Sequence, residues 1–293
     1  MTLSVPPGRV QANGPRASNL TLRVVSAAVL APVTLAITYA GGWIFYALCS
    51  VAAGAILWEW VSLASHRADF RVLAPGWLAL FGAMVLIGLG LPAGGISAVA
   101  IGALVAGSSV AALRQAADEA VAPVWAAGGV IYAGALLIAP ALLRSDPQWG
   151  LVALLFLFAT VWATDIFAFF CGRAIGGPLL WPRVSPKKTW AGAIGGLVGG
   201  VAASVAVAYA SGVGKLGIVG VMACVLSVLA QAGDLFESSV KRRFGVKDAS
   251  HLIPGHGGLM DRLDGFIVAA LAALLIGVIH QGMAAPARGL LVW

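Results

Sequence analysis

The stretch SSVKRRFGVKDASHLIPGHGGLMDRLDG, residues 238 to 265, lies between two apolar runs, 214 to 233 and 265 to 281. Each run is near the roughly 20 residues a helix needs to cross a bilayer, so the polar stretch reads as a loop held between two membrane helices. Backbone amides left unpaired in lipid are costly, and runs of this length satisfy them internally only as helices. Working outward, further apolar runs cover 24 to 40, 43 to 63, 73 to 91, 96 to 113, 122 to 143, 149 to 170 and 190 to 210. The pattern predicts an all-α polytopic integral membrane protein with about nine transmembrane helices.

Composition points the same way. With 60% hydrophobic and 10% charged residues and a mean hydropathy of +0.97, the chain has too little polar surface for a soluble globule. Residues 1 to 20 read as a flexible polar leader, 21 to 145 as N-terminal transmembrane helices and 146 to 293 as a C-terminal transmembrane catalytic region. The leader lacks a signal-peptide cleavage pattern, so the first apolar run is expected to stay as a helix. Cys49, Cys171 and Cys224 sit in apolar sequence without metal-ligand spacing and read as packing residues.

The cations gather in alternate loops. Arg9, Arg16 and Arg23 precede or open the first run, Arg67 and Arg71 follow the second, Arg173, Arg183, Lys187 and Lys188 follow the sixth, and Lys241, Arg242, Arg243, Lys247 and Arg262 follow the eighth. Positive loops stay inside, so the N-terminus and both polar loops are expected to face the cytoplasm and the C-terminus the outside. The net charge of +7 suits a surface facing anionic lipid or nucleotide. Gly192, Gly196 and Gly200, four apart, make a smooth face for another helix.

Two loops carry the chemistry. Asp234, Glu237, Ser238 and Lys241 share one helical face, where carboxylates followed by cations suit a metal and the phosphates bound to it. A solvated helix end with a Glu237–Lys241 pair explains part of that pattern equally well. Asp261 and Asp264 are three apart and, if helical, aim two carboxylates at one point; with Asp234 they form a candidate Mg²⁺ set completed by substrate phosphates. Helix capping accounts for one of these aspartates but not both. A second cation is left open. His256, Gly257 and Gly258 precede them and allow backbone amides to approach a phosphate.

In the other loop, Ser185, Pro186, Lys187, Lys188 and Thr189 lead into a membrane helix, where hydroxyls, a helix dipole and two ammonium groups converge on a place for a triphosphate. Asp165 lies inside an apolar run and must face a wet, protein-lined cavity. Together with Glu59 it also fits an ion-coupled transporter, but that reading requires paired broken helices in both halves, and the polar chemistry here is confined to one.

The ordered set Ser238, Val240, Lys241, Arg242, Lys247, Asp248, Ser250, Ile253, Pro254, His256, Gly257, Gly258, Leu259, Asp261, Arg262, Leu263 and Asp264 resembles the signature of phosphatidate cytidylyltransferases. The SPKKT loop and the Asp165 helix with Gly172 and Arg173 resemble that family too, so the likeness covers roughly residues 160 to 270. The family often has an acid where Ala191 stands. The resemblance implies an enzyme that joins CTP to phosphatidate, releasing pyrophosphate, in a bacterial inner membrane with its site facing the cytoplasm. It implies Asp261, Asp264, Asp234, His256 and Lys241 as catalytic. Ser185, Lys187, Lys188, Thr189, Ser238, Arg242, Lys247, Asp165, Gly257, Gly258 and Arg262 are then substrate contacts. A related enzyme acting on an ether lipid phosphate fits the same residues. No nucleic-acid partner is expected, and a homodimer is compatible with the sequence.

Overall fold

The computed structural model describes residues 16–65, 68–113, 122–250, 252–253 and 257–293. The leader through residue 15, His66, His251 and His256 lie outside the described residues. Ten helices and one hairpin follow in order: α1 (Arg16–Ala40), α2 (Gly42–Ser65), α3 (Phe70–Gly88), α4 (Pro92–Leu113), α5 (Pro123–Arg144), α6 (Gly150–Ile175), β1 (Leu179–Trp181), β2 (Ser185–Thr189), α7 (Trp190–Ala210), α8 (Leu216–Arg243), α9 (Met260–Gln281) and α10 (Pro286–Leu291). Eight of them, α2 to α9, are long and apolar enough to span a bilayer, and α1 adds a shorter apolar portion, Val25–Ala40. The protein is therefore all-α and polytopic.

The helices form two groups. In the first, α2 and α4 each pack on α3 and α5; in the second, α6 to α9 pack in sequence; α9 joins the groups by packing on α5 and α2. The most extensive contact, α6 on α7, follows from the glycine face. A Cβ at Gly192 would lie 2.8 Å from the Ala168 carbonyl oxygen, and one at Gly196 would lie 2.7 Å from that of Thr164. Neither position accepts a side chain at this backbone separation. Gly195 and Gly199 extend the face against Cys171 and Phe167. Buried hydroxyl pairs, Thr160–Ser204 at 2.6 Å and Thr164–Ser227 at 2.8 Å, tie α6 to α7 and α8. Such pairs contribute about 0.6 kcal/mol each in membranes.

The SPKKT strand and the last helix depart from the sequence reading, while the ends of α8 and α9 bear out the helical faces expected there. The SPKKT segment is not a loop but strand β2, paired antiparallel with β1 through Leu179–Thr189 and Trp181–Ser185. Pro186 is tolerated because a two-stranded hairpin consists only of edges. Helix α8 continues ten residues past its apolar run to Arg243, and α9 begins at Met260, so both aspartates of DRLD are helical. Finally, α10 folds back on α9, where Gly277 and Gly289 allow backbone contact.

The C-terminal ends of α2, α6 and α8 and the N-terminal ends of α5, α7 and α9 meet at one face of the bundle. Contacts across that face include Lys188–Asp234, Lys241–Asp261 and the Trp125–Phe244 rings. At the opposite face Arg144 of α5 donates to the Thr38 and Tyr39 carbonyls of α1, at 2.7 and 2.9 Å.

Candidate active site

Where the hairpin meets the ends of α6, α8 and α9, a cavity of about 710 Å³ opens. Its walls hold five acids, Asp165, Asp234, Glu237, Asp261 and Asp264, and five bases, Arg173, Lys187, Lys188, Lys241 and Arg262. Ser185, Thr189 and Gln231 also line it. The two polar loops, more than 40 residues apart in sequence, thus build one site.

The hairpin is fixed at both ends. After α6, Gly176 and Gly177 take positive φ (67° and 95°), a conformation side chains disfavour, and turn the chain into β1. At the other end Thr189 Oγ1 accepts from the Gly192 amide at 3.1 Å and caps α7. Lys188 then reaches across to pair with Asp234 on α8, whose other oxygen is 3.4 Å from the Ser238 hydroxyl.

Lys241 occupies the centre of a second cluster. Its Nζ is 2.6 Å from Glu237 Oε2 and 2.6 Å from Asp261 Oδ1. Glu237 and Lys241 are buried, so the solvated helix end allowed by the sequence is not what forms. The Glu237 contact is ionic without hydrogen-bond alignment, because neither of its oxygens has a hydrogen-bond partner among the described residues. Asp261 Oδ2 accepts from the amides of Gly258 at 3.0 Å and Ala249 at 3.2 Å. Asp261 therefore helps to order the start of α9 as well as lining the cavity.

Asp264, one turn on, faces a different neighbourhood: Asp234 and Asp165 both interact with it electrostatically, and Asp165 interacts in turn with Asp234, Lys188 and Arg262. Among the described residues Asp264 forms no ion pair. Asp165 is ten residues from the end of α6, about 15 Å along the helix, and is exposed on the cavity wall, so the cavity runs well along α6 from its C-terminal end.

Not every sequence-derived candidate lines the cavity. Arg242 turns away to donate to the Val246 carbonyl at 3.0 Å, and Lys247 is exposed off the wall. Ser238 is not part of the wall either and reaches it only through Asp234. Gly257 and Gly258 also sit off the wall, and added Cβ atoms would lie 3.2 Å from Asp261 Oδ2 and 2.9 Å from Glu59 Oε1, respectively. These glycines make room for protein carboxylates. His256 is outside the described residues.

Residues that sequence reasoning passed over include Gln231, which lines the wall and donates to the Ala193 carbonyl at 3.3 Å. Its signal was a polar group one turn before Asp234 in an apolar run. Glu59 was noticed, but as half of a transporter pair; it lies instead against the loop before α9.

This arrangement provides ammonium and guanidinium groups for phosphates beside a cluster of carboxylates. Repulsion among Asp165, Asp234 and Asp264 is an environment that a divalent cation relieves, so these residues fit Mg²⁺. Among the described residues no three acid, histidine or cysteine side chains come together as a set that could hold a metal ion, so the three-aspartate set expected from the sequence is not assembled, and an ion here would draw on fewer protein carboxylates together with substrate phosphates and water.

Comparison with known proteins extends the likeness well beyond residues 160 to 270. The sequence model of the Cytidylyltransferase family matches residues 21–280. A phosphatidate cytidylyltransferase of Brucella abortus biovar 1 is 43% identical over 266 residues, covering 89% of this chain and 94% of the relative. The Brucella melitensis biotype 1 protein of that name is 42% identical over the same share. One from Haemophilus influenzae is 47% identical over 131 residues, 42% of this chain and 45% of its own. The N-terminal helices, outside the likeness read from the sequence, belong to the similarity.

Proposed function

The chain belongs to the Cytidylyltransferase family, and from that premise we propose that the cavity is where CTP and phosphatidate react to give CDP-diacylglycerol and pyrophosphate. The protein is an integral membrane nucleotidyltransferase of phospholipid biosynthesis. The observation that carries the reading is the joining of the SPKKT hairpin and the DRLD helix in one cavity that runs along α6 as far as Asp165. A soluble nucleotide and a membrane lipid can meet there.

A non-bridging oxygen of the phosphatidate phosphate attacks the α-phosphorus of CTP; the new P–O bond forms as the bond to the β-phosphate breaks, and pyrophosphate leaves in line. The attacking phosphate is already ionised near neutral pH, so the site needs no strong general base. Lys187 and Lys188 hold the triphosphate from the hairpin, while Lys241, Arg262 and Arg173 supply further positive charge around it. Asp234 and Asp264, with Asp165 and Asp261 beside them, would hold Mg²⁺, whose chemistry when bound is to neutralise charge developing on the phosphates. Asp165 marks the deep end of the polar wall, and Thr189 fixes the angle at which the lysines enter.

The cavity faces the cytoplasm of a bacterial inner membrane. Arg173, Arg183, Lys187, Lys188, Lys241, Arg242, Arg243 and Lys247 all belong to its face, whereas Arg144, Lys215 and Arg288 belong to segments ending at the other; positive loops stay inside. The reaction is tested by the acceptor: with CTP and Mg²⁺, phosphatidate is converted to a CDP-lipid, whereas diacylglycerol, which lacks the attacking phosphate, is not. Equal product from diacylglycerol would refute the stated chemistry.

A further inference from the structure

Glu59 lies near the end of α2, in the half of the chain that contributes nothing to the cavity wall, and it is completely buried. Among the described residues it has no ion pair. Its carboxylate instead collects three donors about 200 residues away: Ser250 Oγ at 2.5 Å, the Leu259 amide at 2.8 Å and the Met260 amide at 2.6 Å. The two amides are among the orphan donors that open α9, and Leu259 offers no side-chain cap of its own. The helix start is thus capped from another helix.

We propose that Glu59 is a positioning residue for the transfer reaction, holding both sides of Asp261 and setting the entry angle of α9, which also carries Asp264. On the loop side, Ser250 adjoins Ala249, whose amide donates to Asp261. On the helix side, Leu259 adjoins Gly258, whose amide donates to the same carboxylate. Gly258 must be small for this to work, since a Cβ there would crowd Glu59 Oε1 at 2.9 Å. The end of α2 is itself fixed: Trp60 Nε1 donates to the Trp125 carbonyl at 2.9 Å, and its ring packs on Tyr132 and Phe236. A local Ser or Asp at position 259 would cap α9 equally well but would not fix it against α2. The inference rests on the proposed reaction only for its kinetic readout.

The test is Glu59→Gln, which keeps the shape but replaces one acceptor oxygen by a donor facing other donors. Purified protein is assayed for kcat, for the KM of CTP and of phosphatidate, for melting temperature, and for hydrogen exchange of the segment 247 to 263. The expected result is a kcat lower by about 10- to 100-fold, the scale of a small misplacement of reacting groups, with both KM values within about threefold and faster exchange in that segment. Folded Glu59→Gln with parental kcat and parental exchange overturns the proposal. Ser250→Ala removes one of the same bonds and is the fallback should the first variant not fold; lower kcat at unchanged KM supports the proposal and unchanged kcat overturns it. If the parent makes no CDP-lipid, the reaction reading fails, and the exchange result alone decides the role of Glu59.

Discussion

Replacing Lys241 by methionine removes the cation that lies between two carboxylates and leaves the side-chain volume nearly unchanged. The side chains concerned are 11% exposed for Lys241, 1% for Glu237 and 9% for Asp261. At an exposed helix surface an (i, i+4) pair contributes about 0.3–0.5 kcal/mol. Burial changes the scale: removing one partner of a buried pair leaves an uncompensated charge and costs about 3–5 kcal/mol. Here Glu237 loses its cation and is left beside Asp261, itself a carboxyl group, while Asp261 keeps the Gly258 and Ala249 amides. Lys241→Met should therefore lower the melting temperature by roughly 10 °C, read by thermal unfolding of the detergent-purified protein. Adding Glu237→Gln to that variant should recover part of the loss, because it removes the buried carboxyl group that has lost its cation. A Lys241→Met protein that inserts and melts within a few degrees of the parent would refute the buried triad.

Asp264→Asn and Asp261→Asn should each leave insertion intact and lower kcat by at least about 100-fold, the scale of losing an electrostatic group that acts in the transition state; near-parental turnover at saturating Mg²⁺ removes the residue from the site. Lys187→Ala and Lys188→Ala should raise the KM of CTP by about 10- to 150-fold, as charge-assisted contacts of roughly 1.5–3 kcal/mol imply, and that of phosphatidate less. A change confined to phosphatidate reassigns that lysine to the lipid. Cysteines placed at Arg183 and Arg243 should both be shielded from an impermeant thiol reagent in intact cells, while a tag after Trp293 should be accessible; opposite labelling of the two loops refutes the shared face.

The helices were legible because spanning length and apolarity suffice to declare them, and the glycine face because a spacing of four leaves one side of α7 bare. The acids were legible as rare charges in apolar sequence. What the sequence hid was pairing. Asp261 and Asp264 are three apart and were read as one pair of ligands, yet one turns to Lys241 and the other toward Asp234 and Asp165, a division set by α8 and α6 rather than by α9. Glu237 and Lys241 have the spacing of a surface pair, and only the packing around α8 shows them buried. The SPKKT strand carries a proline and two lysines, which argue against a strand until its partner Leu179–Trp181 is found. Glu59 was visible, but its partners lie about 200 residues away, a distance that no local pattern bridges.

The central claim is that one cavity transfers the cytidylyl group to a lipid phosphate, and a single-turnover experiment addresses it most directly. Purified protein is mixed with substoichiometric CTP labelled in the α-phosphate, phosphatidate vesicles and Mg²⁺, and the label is partitioned between chloroform and water. The account predicts that the label passes into the lipid phase one for one with pyrophosphate release, and that folded Asp264→Asn performs the step at least about 100-fold more slowly. Label remaining in water as CMP, or an equal rate in the variant, would contradict it.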